Sequence, residues 1–113
     1  EFSPELLADL RAKGEPVFID FTAAWCLTCQ VNDRLVFQNK KVVENFQNLG
    51  IIPLKADWTN HNEVITKALA GYGKNSIPVY VLYGAGTSEP VLLPEMVTPE
   101  IVIDALHQHV KKR

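Results

Sequence analysis

Apolar and polar positions along this chain switch between two periods, and the switches mark its elements. Ser3-Pro4-Glu5 supplies an N-cap, a proline at the first helical position and an acid in the first turn. Leu6, Leu7 and Leu10 then share one face until Gly14 stops the helix. Pro16 to Thr22 (PVFIDFT) is nearly continuous in apolar residues, which predicts a buried, parallel strand covered on both faces. From Cys26 to Gln38 the spacing is helical, with Val31, Leu35 and Val36 as expected core positions. Asn39-Lys40-Lys41 interrupts or bends it, and Val42, Val43, Phe46 and Leu49 make a second apolar face closed by Gly50. Ile51 to Ala56 reads as a strand, and Pro53 inside it predicts a sheet edge or a bulge. Asp57-Trp58-Thr59-Asn60 is a loop and helix start, and Asn60 or Asn62 caps a helix that runs to Ala70 and ends at Gly71-Tyr72-Gly73. Pro78 to Tyr83 is a strand, residues 84–88 a turn, and Val91 to Leu93 a short strand able to close a hairpin. Thr98-Pro99-Glu100 repeats the opening signal, and Ile101, Val102, Ala105, Leu106 and Val110 form the inner face of a last helix. The order α β α β α β β α, without repeats or interior linkers, predicts an α/β fold: a central mixed sheet with helices on both faces.

Composition narrows what such a domain can be. At 113 residues it is one domain, able to bury a core unaided. With 47% hydrophobic residues it does not need a disulfide to make up for a small core. A net charge of −2 leaves no electrostatic footprint for nucleic acid, and the one basic block, Lys111-Lys112-Arg113, reads as a solvated end. No apolar run approaches the ~18 residues of a membrane span, and there is no signal peptide. The chain opens on Glu1-Phe2-Ser3-Pro4 without an initiator Met. The expectation is a single domain, residues 1–113, cut from a longer protein, so these absences do not locate the parent.

The chemistry concentrates in Ala24-Trp25-Cys26-Leu27-Thr28-Cys29, which holds both cysteines of the chain. As a structural staple the pair is poor, because closing so short a loop removes little unfolded-state entropy. As a zinc site it lacks ligands: four are needed, and His61, His107 and His109 read as surface residues, the last two being two apart and so on different helix faces. Copper(I) needs only two soft ligands, so a two-cysteine copper carrier stays open. The fullest use is redox. Cys26 ends a strand-to-helix turn, where the helix dipole and free N–H groups favour a thiolate and lower its pKa. Cys29, three residues on, faces the same way and can attack a mixed disulfide formed on Cys26. C-x-x-C at a β-to-α turn is a far stronger redox signal than C-x-x-C alone. Asp20 falls in the apolar run before the motif, where a buried carboxylate is costly unless paired or used; the other reading is that it faces solvent at a strand end. Ile77-Pro78 opens a strand after Lys74-Asn75-Ser76, where a cis peptide would make a tight turn.

Together these residues resemble the thioredoxin superfamily over nearly the whole chain. Phe18 to Cys29 (FIDFTAAWCLTC) is similar to its active-site strand and turn, and Ile77-Pro78 to its cis-proline loop. Lys55-Ala56-Asp57-Trp58-Thr59-Asn60 and Val79 to Tyr83 are similar to segments of the C-terminal periplasmic domain of DsbD-type thiol:disulfide interchange proteins. The resemblance implies a thioredoxin fold lacking its first strand, since this chain starts at the first helix; the edge next to residues 51–56 would then be partly unpaired. It implies Cys26 as attacking cysteine, Cys29 as resolving cysteine and Asp20 as the buried acid that assists proton transfer, with Trp25 packed beside them. Lys55 is implied as a partner of Asp20. Asp33, one turn beyond Cys29, reads either as a second acid near the thiols or as a surface residue. Ile77 and Pro78 are implied as part of the partner-binding surface. An exposed apolar collar of Trp25, Leu27 and Trp58 would extend it, with core packing the equal alternative for Trp58.

The function implied is that of a thiol:disulfide oxidoreductase working as a reductase. It would pass electrons from a membrane-embedded donor domain of the same protein to extracytoplasmic thiol proteins, as a monomeric periplasmic domain of an inner-membrane protein. No metal or organic cofactor is implied beyond the Cys26–Cys29 disulfide. Leu27-Thr28 between the cysteines departs from the Gly-Pro of thioredoxin and the Pro-His of the superfamily's strong oxidant. With no histidine there, a reducing to intermediate couple is expected, between roughly −120 and −270 mV. An oxidase or isomerase, and a non-enzymatic copper-binding or adaptor module, are the alternatives.

Overall fold

Five of the six residues of Val17–Thr22 are buried, and this strand, β1, lies inside the sheet. The computed structural model describes residues 1–85 and 89–110. Its helices are α1 (Pro4–Ala12), α2 (Leu27–Asn32), α3 (Lys40–Leu49), α4 (Glu63–Gly71) and α5 (Pro99–His109); the other strands are β2 (Ile52–Asp57), β3 (Val79–Tyr83) and β4 (Val91–Leu93). The sheet order is β2-β1-β3-β4, with β1 and β2 parallel and the remaining pairs antiparallel. This is the mixed sheet of the thioredoxin fold.

The continuous apolar character of β1 and β3 follows from burial on both sides of the sheet. Val17, Ile19, Phe21, Val79 and Val81 face one core, with Leu7 and Leu10 of α1 and Ile65 and Leu69 of α4. Phe18, Tyr80 and Leu82 face the other, with Val36, Val42, Leu49, Val102 and Leu106. The helix caps are those predicted, Ser3 for α1 and Thr98 for α5, and Asn62 rather than Asn60 caps α4. Gly50 takes φ 68° to end α3, a backbone setting that favours glycine.

Pro53 sits in the edge strand, as expected. Ile52 N–H donates inward to the Pro16 carbonyl at 2.9 Å, so residues 53 and 55 turn their backbone groups outward. Proline has no N–H to leave unpaired there. The Lys55 carbonyl accepts from Phe2 N–H at 2.9 Å, and Phe2 tucks its ring into the core at 8% exposure. That backbone bond lies where the superfamily's first strand would pair.

Several apolar positions differ from expectation, among them Leu6 of α1, which is exposed while Leu7 and Leu10 pack on the core. Val31 and Leu35 are exposed, at 45% and 63%, whereas Val36 is buried. Cys29, fixed inward by the turn before it, sets the buried row as Cys29, Asn32 and Val36, and α2 then widens into a π-helical turn, Asp33–Phe37. The wider turn, with Gln38 N–H reaching the Asp33 carbonyl at 3.0 Å, keeps Val36 inward and leaves Leu35 outside. Val43 and Ile101 lie at the rims of their helices, beside the inner rows led by Val42 and Val102. The predicted turn residues Gly86-Thr87-Ser88 and the tail Lys111-Lys112-Arg113 lie outside the described residues.

Asn32 is a buried polar residue in the inner row of the active-site helix. Its side-chain amide donates to the Tyr80 hydroxyl at 2.9 Å and to the Glu95 carbonyl at 3.0 Å, tying α2 to β3 and to the β4–α5 loop. Asn32→Ala would leave both acceptors without their donor. The expected loss is about 2 kcal/mol, read as a lower urea midpoint with an unchanged m-value.

Candidate active site

β1 ends at Thr22, and the chain turns through Ala23-Ala24-Trp25 into α2, whose N-cap is Cys26. The turn is held from two sides. Cys26 N–H and the Gln30 side-chain amide both donate to the Ala23 carbonyl, at 3.2 and 2.8 Å. From the β2–α4 loop, Thr59 accepts Ala24 N–H on its hydroxyl and the Trp25 indole N–H on its carbonyl, both at 2.9 Å. Thr59 in turn donates its N–H and hydroxyl to the Asp57 carboxylate. Those two donations, the hydroxyl's first, hold the Asp57 carboxyl below its usual range.

Cys26 and Cys29 form a disulfide with their Cα atoms 5.2 Å apart. Cys29 is the deeper, at 2% exposure against 8%, and its N–H points at Cys26 Sγ at 3.2 Å. A sulfur at an N-cap with an N–H aimed at it is placed where negative charge is favoured. Ala23 and Ile77 pack against the pair, and the Ile77–Pro78 peptide is cis.

Asp20 pairs in register with Lys55 on β2 and Tyr80 on β3. With Asp33, Lys55, Phe18 and Phe37 it lines a cavity of about 460 Å³ between β1–β2 and the π-helical turn and α3. Burial, reinforced by the charge of Asp33 and opposed by Lys55, pushes the Asp20 carboxyl up to about 6. Lys55 thus acts on Asp20 at a distance; among the described residues no ion pair joins them. Asp33 and Asp20 are thus coupled through charge.

The expected apolar collar is only partly present. Trp25 (52%) and Leu27 (77%) are exposed next to Cys26. Trp58 is not: it is 8% exposed, belongs to the core, and donates its indole N–H to the Thr66 hydroxyl at 2.8 Å. That bond anchors the Trp58 ring to α4. His61 is exposed, as expected, and its ring is also stacked on Trp25. His107 is exposed and donates to Asn45 Oδ1 at 2.6 Å, and His109 is exposed on the same helix. Among the described residues no cluster of three or more His, Cys, Asp or Glu side chains could hold a metal ion.

A family model described as thioredoxin-like matches residues 1–85, three quarters of the chain. The chain belongs to the thioredoxin-like family. Within that family its curated relatives are DsbD proteins. It is 27% identical over 82 residues to the thiol:disulfide interchange protein DsbD of Campylobacter jejuni strain RM1221, and 29% identical over 85 residues to that of Vibrio cholerae El Tor Inaba N16961. These alignments cover 73% and 75% of this chain and 14% of each relative, so the chain spans about a seventh of the proteins it matches. The reduced DsbD C-terminal domain of Neisseria meningitidis superposes with a TM-score of 0.73 at 19% identity, covering 90% of this chain and 88% of that one. A thioredoxin from Thermus thermophilus gives 0.73 at 22% identity, covering 93% and 81%. A DsbD-like thioredoxin domain that carries the Cys26–Cys29 disulfide at its strand-to-helix turn supports thiol:disulfide oxidoreductase chemistry. No helix among the described residues is long and apolar enough to cross a membrane.

Proposed function

We propose that this thioredoxin-like domain is a protein-disulfide reductase that relays electrons from a membrane-embedded donor domain of the same protein to extracytoplasmic thiol proteins. The observation that carries the reading is the asymmetric pair: Cys26 at the helix cap beneath exposed Trp25 and Leu27, and Cys29 deeper in the same turn. The relatives named thiol:disulfide interchange protein DsbD support the exchange chemistry. The Leu27-Thr28 spacer, which places no extra cation beside the thiols, supports the reducing direction.

In the proposed cycle, the Cys26 thiolate attacks one sulfur of a partner disulfide and expels the partner's other thiolate, leaving a Cys26–partner disulfide. The partner segment lies along Ile77-Pro78 and against Leu27 and Trp25. Asp20, tuned by Asp33 and Lys55, takes the Cys29 proton. The Cys29 thiolate then attacks Cys26 Sγ, releases the partner's second thiolate, and leaves Cys26–Cys29 oxidised. Two electrons have passed to the partner, and the donor domain restores the dithiol by the same exchange. The cycle needs no metal or organic cofactor, and the domain acts as a monomer.

The test is the equilibrium reduction potential of the Cys26–Cys29 couple against glutathione. A value well below about −200 mV is expected for a reductase. A value near −120 mV would make the domain an oxidant. A chain with no reversible couple would fail as an oxidoreductase and leave the copper-carrier and adaptor readings.

A further inference from the structure

The indole of Trp25 stands beside the attacking cysteine, half exposed, and a partner that reaches Cys26 must meet it. One hydrogen bond, Nε1 to the Thr59 carbonyl at 2.9 Å, fixes one point of that ring. A single point contact leaves the plane of the ring free to swing. The plane is fixed by His61, whose imidazole lies against the indole with centroids 5.2 Å apart and planes 9° from parallel. That is an offset stack, the arrangement aromatic quadrupoles favour. Trp58 closes the group from below, 4.7 Å from the His61 ring and 6.0 Å from that of Trp25, both tilted.

His61 reaches this place through an unusual backbone. Its φ is 52°, and it is the non-glycine residue with positive φ among those described. Its N–H donates to the Trp58 carbonyl at 2.9 Å, and Asn62 immediately after it caps α4. Glycine would fit that turn with less strain. A histidine ring held there and laid flat on Trp25 points to a use for the ring.

We infer that His61 is a positioning residue for thiol:disulfide exchange with protein partners: it sets the plane of Trp25 and so the wall against which an extended peptide docks at Cys26. The inference rests on the exchange reading. It concerns selection of a protein disulfide over a small one, because a small disulfide reaches Cys26 without needing the wall.

The decisive variant is His61→Gly, which keeps the left-handed backbone and removes the ring. The 113-residue chain, recycled to its dithiol by dithiothreitol with the rate of dithiothreitol alone subtracted, is assayed with insulin as the protein disulfide and with hydroxyethyl disulfide as the small one. The expected result is a fall of fivefold or more in the ratio of kcat/KM for insulin to that for hydroxyethyl disulfide, carried by KM for insulin. A purely structural role would lower both together. His61→Phe, which returns a flat ring, should restore the ratio. Proton NMR gives a readout independent of turnover: the Trp25 ring protons lose the upfield shift of stacking in His61→Gly and regain it in His61→Phe. A Gly variant with the wild-type ratio and unshifted Trp25 resonances overturns the inference, as does a folded Phe variant that behaves like Gly. If the wild-type chain reduces neither disulfide, it is the exchange reading that has failed.

Discussion

Cys29→Ser is expected to convert a catalyst into a trap. In the wild-type chain the second thiol resolves the mixed disulfide from within the same helical turn, its Cα 5.2 Å from that of Cys26. Intramolecular groups in good geometry act at effective concentrations of about 10⁵ M or more. Even a far less favourable 1 M would exceed 1 mM of added thiol by roughly 10³. The Ser variant should therefore release its partner at least about 10³-fold more slowly, with a stable Cys26–partner adduct seen by non-reducing electrophoresis and by mass. Cys26→Ser should give no adduct, because Cys29 is 2% exposed and a partner sulfur cannot line up with it. Equal trapping by the two variants would remove the division of labour between the thiols. Absence of any adduct with Cys29→Ser would remove covalent exchange altogether.

Much of this site is legible in the chain itself. The motif's place at a β-to-α turn follows from one apolar run, Pro16 to Thr22, ending where helical spacing starts. The order of the strands, most caps and the edge role of Pro53 follow from local rules of turn chemistry and hydrogen bonding; α3, capped by Asn39, is one helix more than the expected order α β α β α β β α. The misplaced residues are those where a long-range constraint sets the local phase. Val31 and Leu35 have the right spacing for a core face, but the orientation of α2 is fixed by Cys29, and the π-helical turn rotates the residues beyond it. A polar Asn32 at the inward position three residues after Cys29 is the available signal for that phase. Trp58 and His61 are harder to read. Which of three neighbouring aromatic rings is buried, and which one covers another, depends on how the β2–α4 loop meets the active-site turn through Thr59. No periodicity within residues 57–62 records that meeting.

Asp20→Asn should stabilise the fold and slow the reaction, and the two effects share one cause. An aspartate has a pKa near 3.8 when exposed, and here burial, with help from Asp33, raises it to about 6. The folded state then binds the proton more tightly than the unfolded chain. Between those two values the folded chain holds more protons, so stability declines as pH rises. Below pH 3.8 the carboxyl is neutral in both states and contributes nothing; above pH 6 the full penalty for the buried charge is present. At about 1.4 kcal/mol per pH unit, that penalty is about 3 kcal/mol. Asp20→Asn keeps the shape and deletes the charge, so urea unfolding at pH 7 should show a gain of about 1–3 kcal/mol. The gain should shrink to near zero at pH 3.5. A gain that persisted at pH 3.5 would assign it to packing or hydrogen bonding and not to the charge. The same substitution removes a base that is mostly ionised at pH 7 and lies in the strand leading to the cysteines. Release of the mixed disulfide should slow by about 10²-fold, a typical contribution of a positioned base, and the wild-type rise in release rate between pH 5 and 7 should disappear. A fold that becomes more stable as its exchange slows would mean that the buried carboxylate is kept for chemistry at the expense of stability. Unchanged release in a stabilised variant would leave Asp20 as a buried charge without a part in the exchange.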